Sequence, residues 1–317
     1  MAKQYVIGVD LGGTKISAAL ADHKGNLIQQ IKVPTQASLG KNAVINNMVR
    51  TINELILVKG IKLNQIKAIG VGAPGPVLVD KGIVENPPNL TGWKRVNLKR
   101  ILQKKLHCKV ILENDANLAA LAEARVGAGQ GIKNFVYITV STGIGGGIII
   151  NGDLYRGANG AAGEVGHFIV DQTGNKCGCG NLGCLEAMAS GLAMRKIAVR
   201  KLRERYSKIL ELVDGDIDRV DAEVIARAAK AGDALAKEII HEIVDVLAKG
   251  FAGIVNILNP SLIVVGGGLA NIGSLLFTPL NKRVKKYALP TTGRAVKVIK
   301  AKLGDHAGVI GAIQVCL

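Results

Sequence analysis

Short apolar runs that end in an acid or in glycines alternate along this chain with amphipathic stretches of helical period. Residues 5–10, Tyr-Val-Ile-Gly-Val-Asp, have the look of a buried strand closing on a carboxylate. Leu11-Gly-Gly-Thr-Lys15 then reads as a turn and residues 16–21 as a second strand. A third spans 27–33, after the Lys24-Gly-Asn26 turn. From 42 to 59, Val44, Ile45, Met48, Val49, Ile52, Leu55 and Ile56 recur at the spacing of one helix face. Residues 66–71 form another expected strand, running into Gly72-Ala-Pro-Gly-Pro76. A helix near 99–106 leads to a strand at 109–112 and to Glu113-Asn-Asp115.

The second half repeats this plan. Residues 135–140 predict a strand, 141–147 a glycine turn and 147–151 the returning strand. Long helices are expected across 186–205, 221–230 and 233–258. A buried strand at 261–265 then ends in Gly266-Gly-Gly268, with a further helix after it. Two strand–glycine-turn–strand units, one opening each half, imply two similar α/β domains facing a cleft. A length of 317 residues accommodates them.

Composition narrows the class. Hydrophobic residues make up 48% and aromatics only 3%, so the core must be built from Val, Ile, Leu and Ala. No apolar run reaches membrane-spanning length without a charge or a proline, and the N-terminus lacks the apolar stretch of a signal peptide. A cytoplasmic protein with no membrane partner is expected. The net charge of +17 raises the question of nucleic acid. Yet the basic residues are spread along the chain, and the densest runs, 94–105 and 195–208, read as solvated helix faces. No nucleic-acid partner is expected; the charge better suits an anionic small substrate such as a nucleotide.

Chemistry concentrates at four places. Cys177-Gly-Cys179-Gly-Asn-Leu-Gly-Cys184 gathers three of the five cysteines, with His167 ten positions upstream. Three thiolates and one imidazole complete a tetrahedral set for structural Zn²⁺ and leave no open position for catalysis. A redox pair is the other reading, but it usually has the spacing Cys-x-x-Cys, whereas this run opens Cys-x-Cys. Cys108 and Cys316 sit in apolar surroundings and read as inert core residues. The turns Asp10-Leu-Gly12-Gly13-Thr14-Lys15 and Ser141-Thr142-Gly143-Ile-Gly-Gly-Gly147 could each aim backbone amides at phosphate oxygens. Neither is a Walker loop or a Rossmann fingerprint, because a strand follows where a helix should, and each alone could be a tight hairpin. Asp10, at a strand end beside such a loop, is suited to hold Mg²⁺ through water. Asp115 fits either a catalytic acid or simply the N-cap of a helix over 116–126.

The order of these motifs adds what none gives singly. Asp10-x-Gly-Gly-Thr-Lys15, Glu113-Asn-Asp115, Ser141-Thr-Gly-x-Gly-Gly-Gly147, Gly157-Ala-x-Gly-x-Ala-Gly-Glu164-x-Gly-His167 and the cysteine run together resemble the bacterial ROK family, particularly its ATP-dependent glucokinases. The resemblance spans essentially the whole chain. It implies an actin-like, hexokinase-type (ribonuclease H-like) α/β fold of two domains with an interdomain cleft. The small domain would comprise residues 1–115 and 305–317, and the large one 116–304, with a zinc-bearing insertion. Asp115 would be the general base for the 6-hydroxyl of a hexose. Asn114, Glu164, His167 and Glu186 would bind the sugar, joined by Asn89 in Pro87-Pro-Asn-Leu90. His167 would give one ring nitrogen to zinc and the other to the sugar, with Cys177, Cys179 and Cys184 completing the metal set. Asp10, Gly12, Gly13, Thr14 and Lys15 would serve Mg²⁺·ATP, as would Thr142 and Gly143 near its phosphates. Gly266, Gly267 and Gly268 would lie beside its adenine or ribose. Glucose is the expected sugar, with N-acetylmannosamine, mannose, fructose or allose as alternatives. A homodimer or homotetramer is implied. Family repressors carry a DNA-binding helix-turn-helix ahead of the kinase-like part, and this chain opens almost at once on its first strand, so a sugar-responsive regulator is the remote alternative.

Overall fold

The structure, a computed structural model, describes residues 4–87 and 89–317. Residues 1–3 and Pro88, the second proline of the Pro-Pro-Asn-Leu segment, lie outside the described residues. Strands β1 (Tyr5–Leu11), β2 (Lys15–Asp22) and β3 (Leu27–Pro34) are followed by helix α1 (Lys41–Val58) and strand β4 (Ile66–Ala73). A ribbon of β5 (Val77–Leu78) and β6 (Ile83–Val84) precedes α2 (Leu98–Leu106), β7 (Val110–Asn114) and α3 (Asp115–Val126). Next come β8 (Phe135–Val140), β9 (Ile144–Ile150) and β10 (Asp153–Tyr155). Helices α4 (Leu185–Ala189), α5 (Gly191–Leu202), α6 (Lys208–Glu211), α7 (Ala222–Lys230) and α8 (Ala234–Leu258) form the next stretch. The chain closes with β11 (Leu262–Gly266), α9 (Ser274–Tyr287), α10 (Pro290–Ala295), β12 (Lys297–Lys300) and α11 (Ala307–Gln314).

The two five-stranded sheets repeat one topology, β3-β2-β1-β4-β7 and β10-β9-β8-β11-β12. In the first, β1 pairs antiparallel with β2 and parallel with β4, so the Asp10 end of β1 and the Asn114 end of β7 open on the same edge. Ligands of open α/β sheets gather at that carboxyl edge. Residues 1–131, 147–163 and 305–317 form one compact unit, and residues 132–146 and 164–304 the other. In the first unit, side chains alternate across β1 as strand geometry requires. Ile7, Val9 and Leu11 join a core with Met48 and Ile52 of α1 and Leu102 of α2, whereas Val6 faces Val309, Ile313 and Cys316. The returning α11 thus covers the second face of the sheet. Burial pushes the Cys316 thiol up to about 12, in keeping with an inert core residue.

Three expectations need correction. The glycine turn of the second half is shorter than the sequence implied. β9 begins at Ile144, so Gly145, Gly146 and Gly147 are strand residues. Gly147 serves close packing instead of turning, since a Cβ there would lie 2.6 Å from the Ala120 Cβ and 2.9 Å from the Ala116 carbonyl of α3. The long helix over 186–205 is two helices. Ser190 between them is extended, and its hydroxyl caps the second by accepting from the Ala193 amide at 3.2 Å. Of the basic runs, Arg100, Lys104 and Lys105 are a solvated face of α2. Lys201, by contrast, is bound 2.6 Å from Glu238 and 3.0 Å from Glu242. Among the described residues no helix is long and apolar enough to cross a membrane.

Candidate active site

In the first unit the Gly12-Gly13-Thr14 turn is held from outside by Thr35, fully buried just past β3. Its hydroxyl donates to the Gly12 carbonyl at 2.7 Å and its amide to the Thr14 carbonyl at 2.9 Å. A Cβ on Gly13 would lie 2.6 Å from that of Asn89, so the expected sugar contact Asn89 stands against the turn. Lys15 pairs with Asp305 at 3.1 Å on the surface. Burial is the main cause that raises the Asp10 carboxyl from 3.8 to about 6. Lys15 opposes the shift and Asp305 adds to it. A carboxylate so disfavoured invites a cation, which suits the expected Mg²⁺ site.

The N-cap of α3 is Asn114, whose Oδ1 accepts from the Ala116 amide at 2.9 Å and the Asn117 amide at 3.1 Å. The structural reading of Asp115 as the cap therefore passes to its neighbour. Asp115 is the first helical residue, half-buried, with Oδ1 accepting from the Ala116 amide at 2.8 Å. The Asn114 side-chain Nδ2 donates to the Gly75 carbonyl at 3.1 Å with one of its two hydrogens. Behind them, Glu113 is buried and accepts from Arg156 Nε at 2.6 Å and Asn117 Nδ2 at 3.0 Å. The junction of strand and helix that carries Asp115 is thus fixed on rigid elements.

The second unit brings together Glu164, His167 and Glu186. Desolvation is the largest cause raising the Glu164 carboxyl, with His167 opposing and Glu186 adding. Glu186 Oε2 accepts from the Ile144 amide at 2.8 Å, at the exit of the Ser141–Gly143 turn. Ser141 and Thr142 line a cavity of about 730 Å³ with Gly191, Arg195, Lys230 and Gly268. That volume matches a nucleotide-sized ligand. Gly266 ends β11 inside the unit, and a Cβ on Gly267 would collide with the Val140 carbonyl, just before Ser141. Sequence reasoning found the turn and the triple glycine but missed Arg195, Arg227 and Lys230, which also line the cavity. Helical spacing gave no sign that these helix positions border a cavity.

His167, Cys177, Cys179 and Cys184 bring one ligand atom each within 4.8 Å of one another. Cys179 Sγ lies 3.6 Å from Cys184 Sγ, and Cys177 Sγ lies 3.6 Å from His167 Nδ1. A tetrahedral zinc with Zn–S near 2.3 Å sets its sulfurs about 3.8 Å apart, whereas a disulfide needs about 2.05 Å. The donor set therefore fits a metal and not a redox bond. Burial, reinforced by the Cys179 and Cys177 sulfurs, pushes the Cys184 thiol up to about 12, a barrier that a divalent cation removes.

This geometry has close relatives. The ROK family profile matches residues 6–317. A glucokinase of Thermotoga maritima is 36% identical over 315 residues, covering 99% of this chain and 98% of the relative. One of Streptomyces coelicolor is 37% identical over 311 residues, covering 96% and 95%. The crystal structure of a ROK family glucokinase from Streptomyces griseus in complex with glucose and AMPPNP superposes with a TM-score of 0.85. It is 35% identical and covers 98% of each chain. A two-sheet α/β chain of the actin-like, hexokinase type, with glycine turns and an acid cluster, is a sugar-kinase scaffold. The chain belongs to the ROK family.

Proposed function

We infer that this chain is an ATP-dependent glucokinase, converting glucose to glucose 6-phosphate. The observation that carries the reading is its near full-length similarity to glucokinases at 36–37% identity. Phosphoryl transfer asks mainly for positioning and charge neutralisation. Asp115 takes the proton of the 6-hydroxyl as that oxygen bonds the γ-phosphorus, and the bond to the β–γ bridging oxygen breaks to release ADP. Asn89, Asn114, Glu164, His167 and Glu186 hold the sugar hydroxyls. Amides of the Gly12–Thr14 and Thr142–Gly143 turns, with Lys15, bind phosphate oxygens, and Gly266–Gly268 adjoin the nucleoside.

Asp10 would hold Mg²⁺, which neutralises phosphate charge when bound. His167, Cys177, Cys179 and Cys184 would hold Zn²⁺, which shapes the sugar-binding segment without joining the chemistry. A cytoplasmic location is proposed alongside, supported by thiols that must stay reduced to bind metal. A homodimer or homotetramer is also proposed, to be checked by light scattering.

Sugar 6-phosphate formation with Mg·ATP across glucose, mannose, fructose, allose and N-acetylmannosamine tests the reading. Preference for glucose is expected; preference for another hexose would change the substrate, and silence on all five would overturn the kinase assignment. The raised Asp10 carboxyl adds a pH signature. Without cation, the stability contributed by the protonated group is complete below about 3.8 and lost as pH rises through about 6. Proton and cation compete for one carboxylate, so Mg·nucleotide affinity should fall as pH drops through about 6. Titrations from pH 5 to 8 should show this step in the wild type and not in Asp10→Asn. A step of equal size in the variant would assign it elsewhere.

A further inference from the structure

The turn that begins the nucleotide cavity is not held by its own residues alone. Ser141 N–H donates to the Gly143 carbonyl at 2.9 Å, and beyond that bond the turn is gripped by neighbouring segments. The Gly191 amide, at the start of α5, donates to the Ser141 carbonyl at 2.7 Å. Glu186, on α4, accepts the Ile144 amide with Oε2. A Cβ on Gly143 would collide with that same oxygen, so the carboxylate lies flat against the turn. On the other side of the same residue, Gly166 of Glu164-Val-Gly-His167 packs on the Ile144 carbonyl with no space for a side chain. Both peptide groups of Ile144 are thus fixed by segments that carry expected sugar contacts.

We propose that Glu186 is a positioning residue for the nucleotide phosphates as well as a sugar contact. Oε2 sets the backbone of the Ser141–Gly143 turn through the Ile144 amide, leaving Oε1 for a sugar hydroxyl. A charged acceptor on a backbone amide is stronger than a neutral one, and at a turn it fixes the aim of the adjacent amides. The reason for glycine at 143 is then the carboxylate itself, which occupies the place of a side chain. One carboxylate serving both ligands links the two occupancies, and such coupling is reciprocal.

The inference rests on the kinase reading, because it takes this turn as a phosphate site. It is tested by binding the magnesium complex of a non-hydrolysable ATP analogue to the sugar-free protein by calorimetry, with melting temperatures recorded in parallel. Glu186→Ala should weaken analogue binding by roughly tenfold, whereas Glu186→Gln, which keeps an acceptor oxygen, should stay within about threefold of wild type. Gly143→Ala displaces the carboxylate without removing it and should resemble Glu186→Ala. Unchanged affinity in Glu186→Ala and Gly143→Ala would overturn the proposal and leave Glu186 a sugar contact only. Equal losses in the Gln and Ala variants, each with a lowered melting temperature, would overturn it in favour of a general structural role. A wild type that does not bind the analogue would overturn the kinase reading itself, and the inference with it.

Discussion

Replacing Asp115 by Asn should lower turnover about 10²- to 10⁴-fold while glucose still binds. The variant is close to isosteric, and its Oδ1 can keep the 2.8 Å bond from the Ala116 amide. Helix α3 does not depend on Asp115 for its start, because Asn114 supplies the cap. On the proposed general-base role, what the change removes is the ability to take a proton from the attacking hydroxyl, since a neutral amide has no comparable basicity. The loss should therefore appear in kcat, with the melting temperature unmoved and glucose affinity changed by no more than a few fold. Turnover within a few fold of wild type would end the general-base assignment. Loss of glucose binding with no residual turnover would recast Asp115 as chiefly a sugar anchor.

Local patterning carried the strands and helices whose faces differ. The apolar spacing of α1 was legible because it buries one face against a single layer, and the run of β1 because both its faces are buried, which leaves a short continuous apolar stretch. The order of the cysteines likewise disclosed the cluster of His167, Cys177, Cys179 and Cys184, since side chains close in sequence need few other elements to bring them together. The early start of β9 was not legible, because Gly145–Gly147 look like a turn until α3 is seen lying against Gly147. The break at Ser190 was hidden in an amphipathic stretch. Its cause is the Gly191 amide reaching the Ser141 carbonyl, 50 positions away in the chain. Thr35 and Arg195 escaped for the same reason. Thr35 matters through Gly12 and Thr14, and Arg195 is held by the Val220 carbonyl at 3.1 Å. Sequence pattern reports the period of a segment and says little about which distant backbone group a polar side chain meets.

Cys179→Ser should abolish stoichiometric zinc binding, and its consequences separate the metal from the packing around it. Cys177 and Cys184 are buried, so replacing either would disturb the interior as well as the donor set. Cys179 is exposed, and serine is nearly its size, so the substitution alone should cost no more than about 0.5 kcal/mol. A larger loss must come from the missing ion. The segment from Glu164 to Glu186 includes, within itself, few regular elements: a single turn at Val165–His167, the short bridges Ile169–Cys184 and Lys176–Leu182, and the start of α4. Four ligands drawn to one ion would do most of the work of holding such a loop. They would also fix His167 with Nδ1 toward the metal, on the side of Cys177, and a proton on Nε2 for the sugar. Metal analysis should fall from about one zinc per chain to near none. Glucose affinity should drop at least tenfold and the melting temperature by roughly 5 °C or more. Chelation of the wild type should reproduce all three changes, and added zinc should reverse them in the wild type alone. Full zinc content in the variant would remove Cys179 from the ligand set, and lost zinc with unchanged glucose affinity would detach the metal from the sugar site.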